Sequence, residues 1–416
     1  MTEGVSHLSG VWSKVTDLQV THGIGSRVVD VAGHEYLDFT AGIAAASTGH
    51  AHPKVAQAIA DQAERFVHAQ INVYSHDVLE PLAQRLTDIT PESIDTFYFA
   101  STSDELLEAA IKMAKHATGR RNTIVFDGAF HGRTHYTMAM STSRSTDRQG
   151  FGPLPAGVFV APFPDPHASD QEDEVSRALR LLDRLLLTQI GVEEVAAIVI
   201  EPVIGERGYI PTPTDFMQGI AERCAAHGIL LVVDETQSGA GRTGTMFAVE
   251  KLGIEPDVLC MAKGIASGFP FAAFGTRREL DQRWRTGSHS GSSNGNPIGC
   301  AAALATIEVL TEPGFLDNVQ ARGTQLLDGL RDLQQLDQAL LHVRGRGLMV
   351  ATEFDTAERA VAVVEHCRAE HRLLLMTAGT RNRTIRWSPP LIVTSDEIAT
   401  ALTAFAAAIR ATSPGG

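Results

Sequence analysis

The sequence predicts an α/β protein: a mostly parallel central sheet covered by helices, followed by a smaller α+β domain. Four apolar runs without polar alternation carry the first part, "TIVF" from Thr123, "VAAIVI" from Val195, "ILLVV" from Ile229 and "DVLCMA" from Asp257. Such runs read as strands buried on both faces. Helix-length segments separate them, and the one from Asp215 to His227 ends at Gly228, a natural C-cap. The alternation of strand and helix is that of βαβ units. After about residue 305 the pattern changes to short strands among helices.

Taken in order, residues 1–50 include "VVDVAGHEYLDF", which predicts a short hairpin region packing with the smaller domain. Residues 51–304 form the large domain and 305–416 the small one, with strands expected in "LHVRGRGLMVATEF", "RLLLM" and "TIRWSPPLIV". The chain closes on a helix: Thr394 and Glu397 have capping-box spacing, and Ile398, Leu402, Phe405 and Ile409 follow at helical intervals. No repeat and no Pro-, Ser- or Gly-rich linker divides the chain.

With 44% hydrophobic and 20% charged residues in 416, the composition is that of a globular protein. Its net charge of -14 argues against a nucleic-acid or anionic-membrane binder. The opening "MTEGVSHLSGVWSKV" lacks the basic and apolar regions of a secretory signal. No apolar run approaches the roughly 20 residues of a membrane span. Cys224, Cys260, Cys300 and Cys367 form no CxxC pair, so reduced thiols in a cytoplasmic protein are expected, with neither zinc nor disulfides.

Three successive apolar runs end on charge: Glu201, Asp234 and Lys263. One charge after a strand is ordinarily the first solvated loop residue. Three of complementary sign point to a site, because parallel strands deliver their C-terminal ends to the ligand crevice. An amine such as Lys263 beside low-dielectric strands has its pKa lowered and attacks carbonyls. The cofactor that needs such a lysine, and a carboxylate to keep its ring nitrogen protonated, is pyridoxal 5'-phosphate. Thr102, Ser103 and a Thr102-x-x-Glu105 capping box open a helix whose free N–H groups attract phosphate.

The stretches "GIAAASTGHAHPKV", "AAIKMAKHATGR", "GAFHGRT", "EPVIGERGY", "HGILLVVDETQSGAGRTG", "MAKG" and "GNPIGCAAALA" run in order through the chain. Together they resemble the class III aminotransferases, a branch of the fold-type I pyridoxal-phosphate enzymes. Within that family the resemblance is nearest to the 4-aminobutyrate and related ω-amino acid enzymes. It implies that Lys263 is the Schiff-base lysine and proton shuttle, Asp234 the partner of the pyridine nitrogen, and Gln237 the partner of the ring hydroxyl. Phe130 and His131 are expected near the ring face, and Thr236 packs on the ring. By the same resemblance Arg133 receives the far carboxylate of the substrate and Arg386 the α-carboxylate of glutamate or 2-oxoglutarate. Glu206 pairs with Arg386 when the substrate has no α-carboxylate, and Ile43 belongs to the substrate-binding set. Ser292 is expected to reach the partner's phosphate in a homodimer or a dimer of dimers.

Several residues depart from the family pattern. Ser101-Thr102-Ser103-Asp104-Glu105-Leu106 stands where Asn-Ser-Gly-Ala-Glu-Ala is usual. Asp104 thus brings a carboxylate to the phosphate cup, where two charges at ~4 Å repel by roughly 4 kcal/mol, unless it turns outward and caps. Thr236 replaces Val or Ile, Ile204 a glutamine, and Arg207 a glycine, where it adds a charge able to compete for Glu206. Ser292 and Asn294 replace threonine and glycine.

The function expected is transfer of the amino group of an ω-amino acid, 4-aminobutyrate first, to 2-oxoglutarate, giving a semialdehyde and glutamate. Alternatives are a racemase or epimerase of the same fold, a transaminase for N-acetylornithine or a diamine, and a cofactor-binding regulator. A metal site at His131 and His135 or at His50 and His52 lacks further ligands, and "GAGRTG" lacks the P-loop lysine.

Overall fold

The computed structural model describes residues 7–165, 167 and 171–413, and the side chains of all of these except 171 and 172. The first six residues of the N-terminal stretch lie outside the described residues. The central sheet has seven strands, in the order Thr96–Ala100, Ala272–Thr276, Val258–Met261, Leu230–Asp234, Val195–Ile200, Asn122–Phe126 and Val158–Ala161. Ala272–Thr276 alone runs against the others, so the sheet is mostly parallel.

The lack of alternation in the apolar runs has a direct cause. Ile198, Ile200, Leu231, Val233, Leu259 and Met261 pack into the core on one face. Their neighbours Ala197, Val199, Val232, Val258 and Cys260 pack on the other, against Leu106, Leu107, Ala110 and Ile111 of the helix Ser103–Thr118. Both faces are dry, so both sets of side chains are apolar. The helix Thr214–His227 ends at left-handed Gly228, as its sequence predicts.

Behind the large sheet, Leu340–Arg346, Met349–Phe354, Thr384–Trp387 and Met376–Ala378 form an antiparallel four-stranded sheet. The N-terminal hairpin Arg27–Asp30 with Glu35–Asp38 is extended by Val20–Ile24, and Leu373–Leu374 joins it as a parallel fourth strand. Fully buried Trp387 meets both Phe39 and Phe405 edge-on, joining the N-terminal segment to the terminal helix Ser395–Ala411. Both halves of the Thr394–Glu397 capping box form. Among the described residues no single helix is long and apolar enough to cross a membrane; Pro297–Leu310 and Phe315–Leu336 pass that test only as a pair bent by 72°.

Candidate active site

The C-terminal ends of the central strands converge on one narrow cavity, lined by Ser103, Phe130, His131, Glu201, Glu206, Asp234, Thr236, Gln237 and Lys263 among others. A wider cleft of about 640 Å³ lies between Phe163, Arg207, Arg344 and Glu353. It has the strand-end carboxylate Asp127 but no lysine, so size does not identify the site.

Asp234 ends its strand with the carboxylate inside protein, and Oδ2 lies 2.9 Å from Nδ1 of fully buried His131. Burial opposes the charge on Asp234, but the hydrogen bond and charge of His131, with help from Thr236, outweigh it and hold the carboxyl below its usual range. Burial likewise opposes a proton on His131, and Asp234 outweighs it, raising the imidazole. The two form a buried ion pair.

Lys263 follows its strand after one residue, at a left-handed φ of 47°. Its loop is pinned where Ser47 Oγ donates to the Gly264 carbonyl at 2.6 Å. Left-handed backbone in a non-glycine residue is strained and survives where the surroundings over-determine it, as at functional sites. The side chain keeps some solvent access. Burial lowers its amine to about 8; Glu206 acts against that shift and Arg386 adds to it.

Glu201 is the residue whose part the sequence did not reveal. Its two oxygens accept from Phe130 N at 3.0 Å and from Gly205 N at 2.9 Å, tying together the loop before Arg133 and the hairpin that carries Glu206. Burial pushes its carboxyl up to about 7, against the nearby His131. A Cβ on Gly205 would meet Gln237 Oε1 at 2.7 Å, so a larger residue there would have to move the Gln237 amide. A strand-end glutamate is visible in sequence, but a partner 71 residues away is not.

Glu206 Oε1 receives Arg386 Nη1 at 2.5 Å. The Arg386 side chain is 2% exposed and lies near the Tyr209 ring. Burial opposes charge on both partners, yet each stabilises the other, so Glu206 is held low and Arg386 high. Arg207 does not compete for Glu206. It turns away and donates to the Asp127 carbonyl at 3.2 Å, with its side chain filling the space beside Gly128.

The Asp104 carboxylate is turned out of the cup: Oδ2 accepts from Arg133 N at 2.7 Å. Gly132, at φ 131°, makes room for it, since a Cβ would meet Asp104 Cγ at 2.6 Å. Thr102 Oγ1 accepts from Glu105 N, but Glu105 reaches back to Ser101 N rather than to Thr102 N, so only half of the predicted capping box forms. The first N–H groups of the helix Ser103–Thr118 are left for a ligand, as at any helix N-terminus. Arg133 lies at the rim, its side chain 63% exposed. Ile43, 37% exposed, occupies a left-handed turn, and Ser292 lies exposed on the surface, outside the cavity lining.

These features suit a planar, anionic, aldehyde-bearing ligand. A buried carboxylate faces the cavity, a reactive amine stands beside it, and a helix N-terminus opens at one end. His131 Nε2, Thr236 Oγ1 and Gln237 Oε1 are buried without a protein hydrogen-bond partner, which leaves polar valences for such a ligand. The fold and this set of residues define a pyridoxal-phosphate enzyme. The chain belongs to the class-III aminotransferase family, whose sequence model matches residues 8–409.

It is 38% identical to the 5-aminovalerate aminotransferase of Pseudomonas putida over 88% of this chain and 87% of that protein. It is 37% identical to the 4-aminobutyrate aminotransferase of Escherichia coli, covering 89% and 88%. An acetylornithine aminotransferase of Bacillus cereus matches at 35% over 94% and 95%. Among solved structures, an amine transaminase from an uncultivated Pseudomonas species in its PLP-bound form superimposes with a TM-score of 0.90 and 27% identity, covering 99% of this chain and 98% of that one. The protein is therefore a pyridoxal-phosphate-dependent aminotransferase of fold type I.

Proposed function

We propose that the enzyme transfers the amino group of an ω-amino acid, 4-aminobutyrate first, to 2-oxoglutarate, giving a semialdehyde and glutamate. The observation that carries this reading is the Arg386–Glu206 pair at the edge of the Lys263 cavity. A guanidinium left unpaired in a closed site would penalise a donor that lacks an α-carboxylate. Glu206 neutralises Arg386 while such a donor is bound and yields to the α-carboxylate of 2-oxoglutarate, which Arg386 holds in bidentate fashion. The relatives named for 4-aminobutyrate and 5-aminovalerate support the same substrate class.

When bound, pyridoxal 5'-phosphate supplies a carbonyl that captures amines and a protonated ring that takes up the electrons released at the amine-bearing carbon. Lys263 would hold it, and its amine would move the proton at the amine-bearing carbon of the donor. Asp234, kept ionised by His131, pairs with the ring nitrogen, and Gln237 with the ring hydroxyl. Phe130, His131 and Thr236 enclose the ring. The N–H groups of Ser103 and Asp104, with Thr102, bind the phosphate, assisted by Ser292 of a second copy. Arg133 receives the far carboxylate, and Ile43 borders the donor. A homodimer is supported by Val67, Val73 and Tyr74, three exposed apolar side chains in one segment. Four buried free cysteines support a reducing, cytoplasmic setting.

The test is to add 4-aminobutyrate alone to the cofactor-loaded enzyme, following the visible band of the bound cofactor and assaying succinate semialdehyde. Loss of the band with stoichiometric semialdehyde is expected; an unchanged band refutes 4-aminobutyrate as donor. Glu206→Gln should leave the Arg386 charge uncompensated and shift the kcat/KM ratio from 4-aminobutyrate toward α-amino acids by on the order of 10-fold or more. An unaltered ratio would remove Glu206 from substrate selection.

The pH dependence of cofactor uptake follows from Lys263. Only the free amine attacks a carbonyl, and its pKa is lowered from 10.5 to about 8. Uptake of pyridoxal 5'-phosphate by the apoenzyme should therefore quicken roughly ten-fold per pH unit below about 8 and level off above it. A rate still climbing at that slope beyond pH 9 would mean an unshifted lysine.

A further inference from the structure

Arg133 does not wait at the rim with its charge free. Its Nη1 lies 3.1 Å from Asp147 Oδ1, and its guanidinium carbon lies 5.6 Å from the centre of the Phe130 ring. Asp147 closes the turn Ser145–Asp147. That turn follows Arg144, whose charge acts on Glu206, and Ser143, whose carbonyl accepts from Thr380 Oγ1 at 3.0 Å. The Asp147 side chain is 14% exposed against 63% for Arg133, so the acid is the held member of the pair and the long arginine the movable one.

We propose that Asp147 is a resident counter-ion for Arg133: a second carboxylate gate, matching Glu206 on Arg386, that sets how strongly the enzyme prefers amines bearing a far carboxylate. The inference rests on the substrate reading above, in which Arg133 receives that carboxylate. A donor without it leaves Arg133 on Asp147, and no arginine is stranded. A donor with it must first displace Asp147. 2-Oxoglutarate, with two carboxylates, opens both gates, whereas 4-aminobutyrate opens only this one. Asp147 acts through Arg133 and is a specificity-determining residue, not a catalytic one.

The arginine of the pair is exposed and the bond therefore weak, so displacing it lowers affinity by only about three- to five-fold. Asp147→Asn should accordingly lower KM for 4-aminobutyrate three- to five-fold, with a smaller change in kcat, and Asp147→Glu should bring KM back toward the wild-type value. A merely structural role predicts a raised KM or lost kcat instead. In an Arg133→Gln background the same Asp147→Asn change should produce no fall in KM, because the coupling belongs to the pair. Asp147→Ser serves as a second neutral variant should the asparagine protein not fold.

An unchanged or raised KM in the neutral variants overturns the gate, as does an equal fall in the Arg133→Gln background. If the wild-type enzyme turns over no ω-amino acid, the substrate reading fails and the gate with it. Wild-type turnover combined with an unresponsive Asp147 removes the gate alone.

Discussion

Lys263→Ala should retain the fold and lose steady-state transamination by more than about 10⁴-fold, because acid–base work alone contributes 10²–10⁴ and this amine is also the covalent anchor. The folded state binds this proton less readily than the unfolded one, with the amine lowered to about 8 from 10.5. Between those values the unfolded chain carries more protons, so wild-type apoenzyme stability rises with pH across that window, and the penalty is full below it. Alanine removes the titrating group. The melting temperature of the variant should lack this rise, and circular dichroism from pH 7 to 10 on both apoproteins checks it. Appreciable steady-state turnover by the variant would sink the assignment of Lys263.

Asp234→Asn carries the second largest effect, and it acts on both chemistry and stability. Without the carboxylate the ring nitrogen is not held protonated, and kcat should fall by about 10²- to 10⁴-fold. The imidazolium of His131 then faces a neutral amide inside protein, a loss of about 3–5 kcal/mol for a broken buried pair. The pH window follows from the two shifts. Asp234 is held below 3.8, so its contribution is present above that value and fades as pH falls through the depressed one. His131 is held above 6.5, so its contribution is complete below that value and fades as pH rises through the raised one. The melting-temperature gap between wild type and variant should therefore be widest between about pH 4 and 6.5. A gap independent of pH from 5 to 9 would contradict the ion pair.

How much of this was legible in the sequence depends on how local the cause was. The central strands were readable because both faces of the sheet are dry, which removes alternation from Val195–Ile200 and Leu230–Asp234. Thr96–Ala100 and the reversed Ala272–Thr276 were not singled out, although Phe97-Tyr98-Phe99 is an unalternated apolar run; Ala272–Thr276 carries only small residues around Phe274. Lys263, Asp234 and Glu206 were singled out from strand ends and motif order, and the three line one cavity. The His131–Asp234 bond spans 103 residues and the Glu201–Phe130 bond 71, distances over which no spacing rule operates. Asp104 was recognised as a problem at the phosphate cup. That its carboxylate caps the Arg133 amide depends on the backbone turn at Gly132, which no spacing in the sequence encodes.

The pair formed by Glu206 and Arg386 has one member on a hairpin beside the large sheet and the other in the middle of the small antiparallel one. Their separation is therefore a mechanical coordinate. Asp234 and Lys263, by contrast, lie at the ends of adjacent strands of a single sheet. The proposed donor gate at Arg386 and the proposed chemistry at Lys263 thus draw on different sheets. A substitution that loosens the seam between them, at Gly208 or Arg344 where the hairpin meets the small sheet, should alter which amines are accepted while the intrinsic rate of proton movement stays the same.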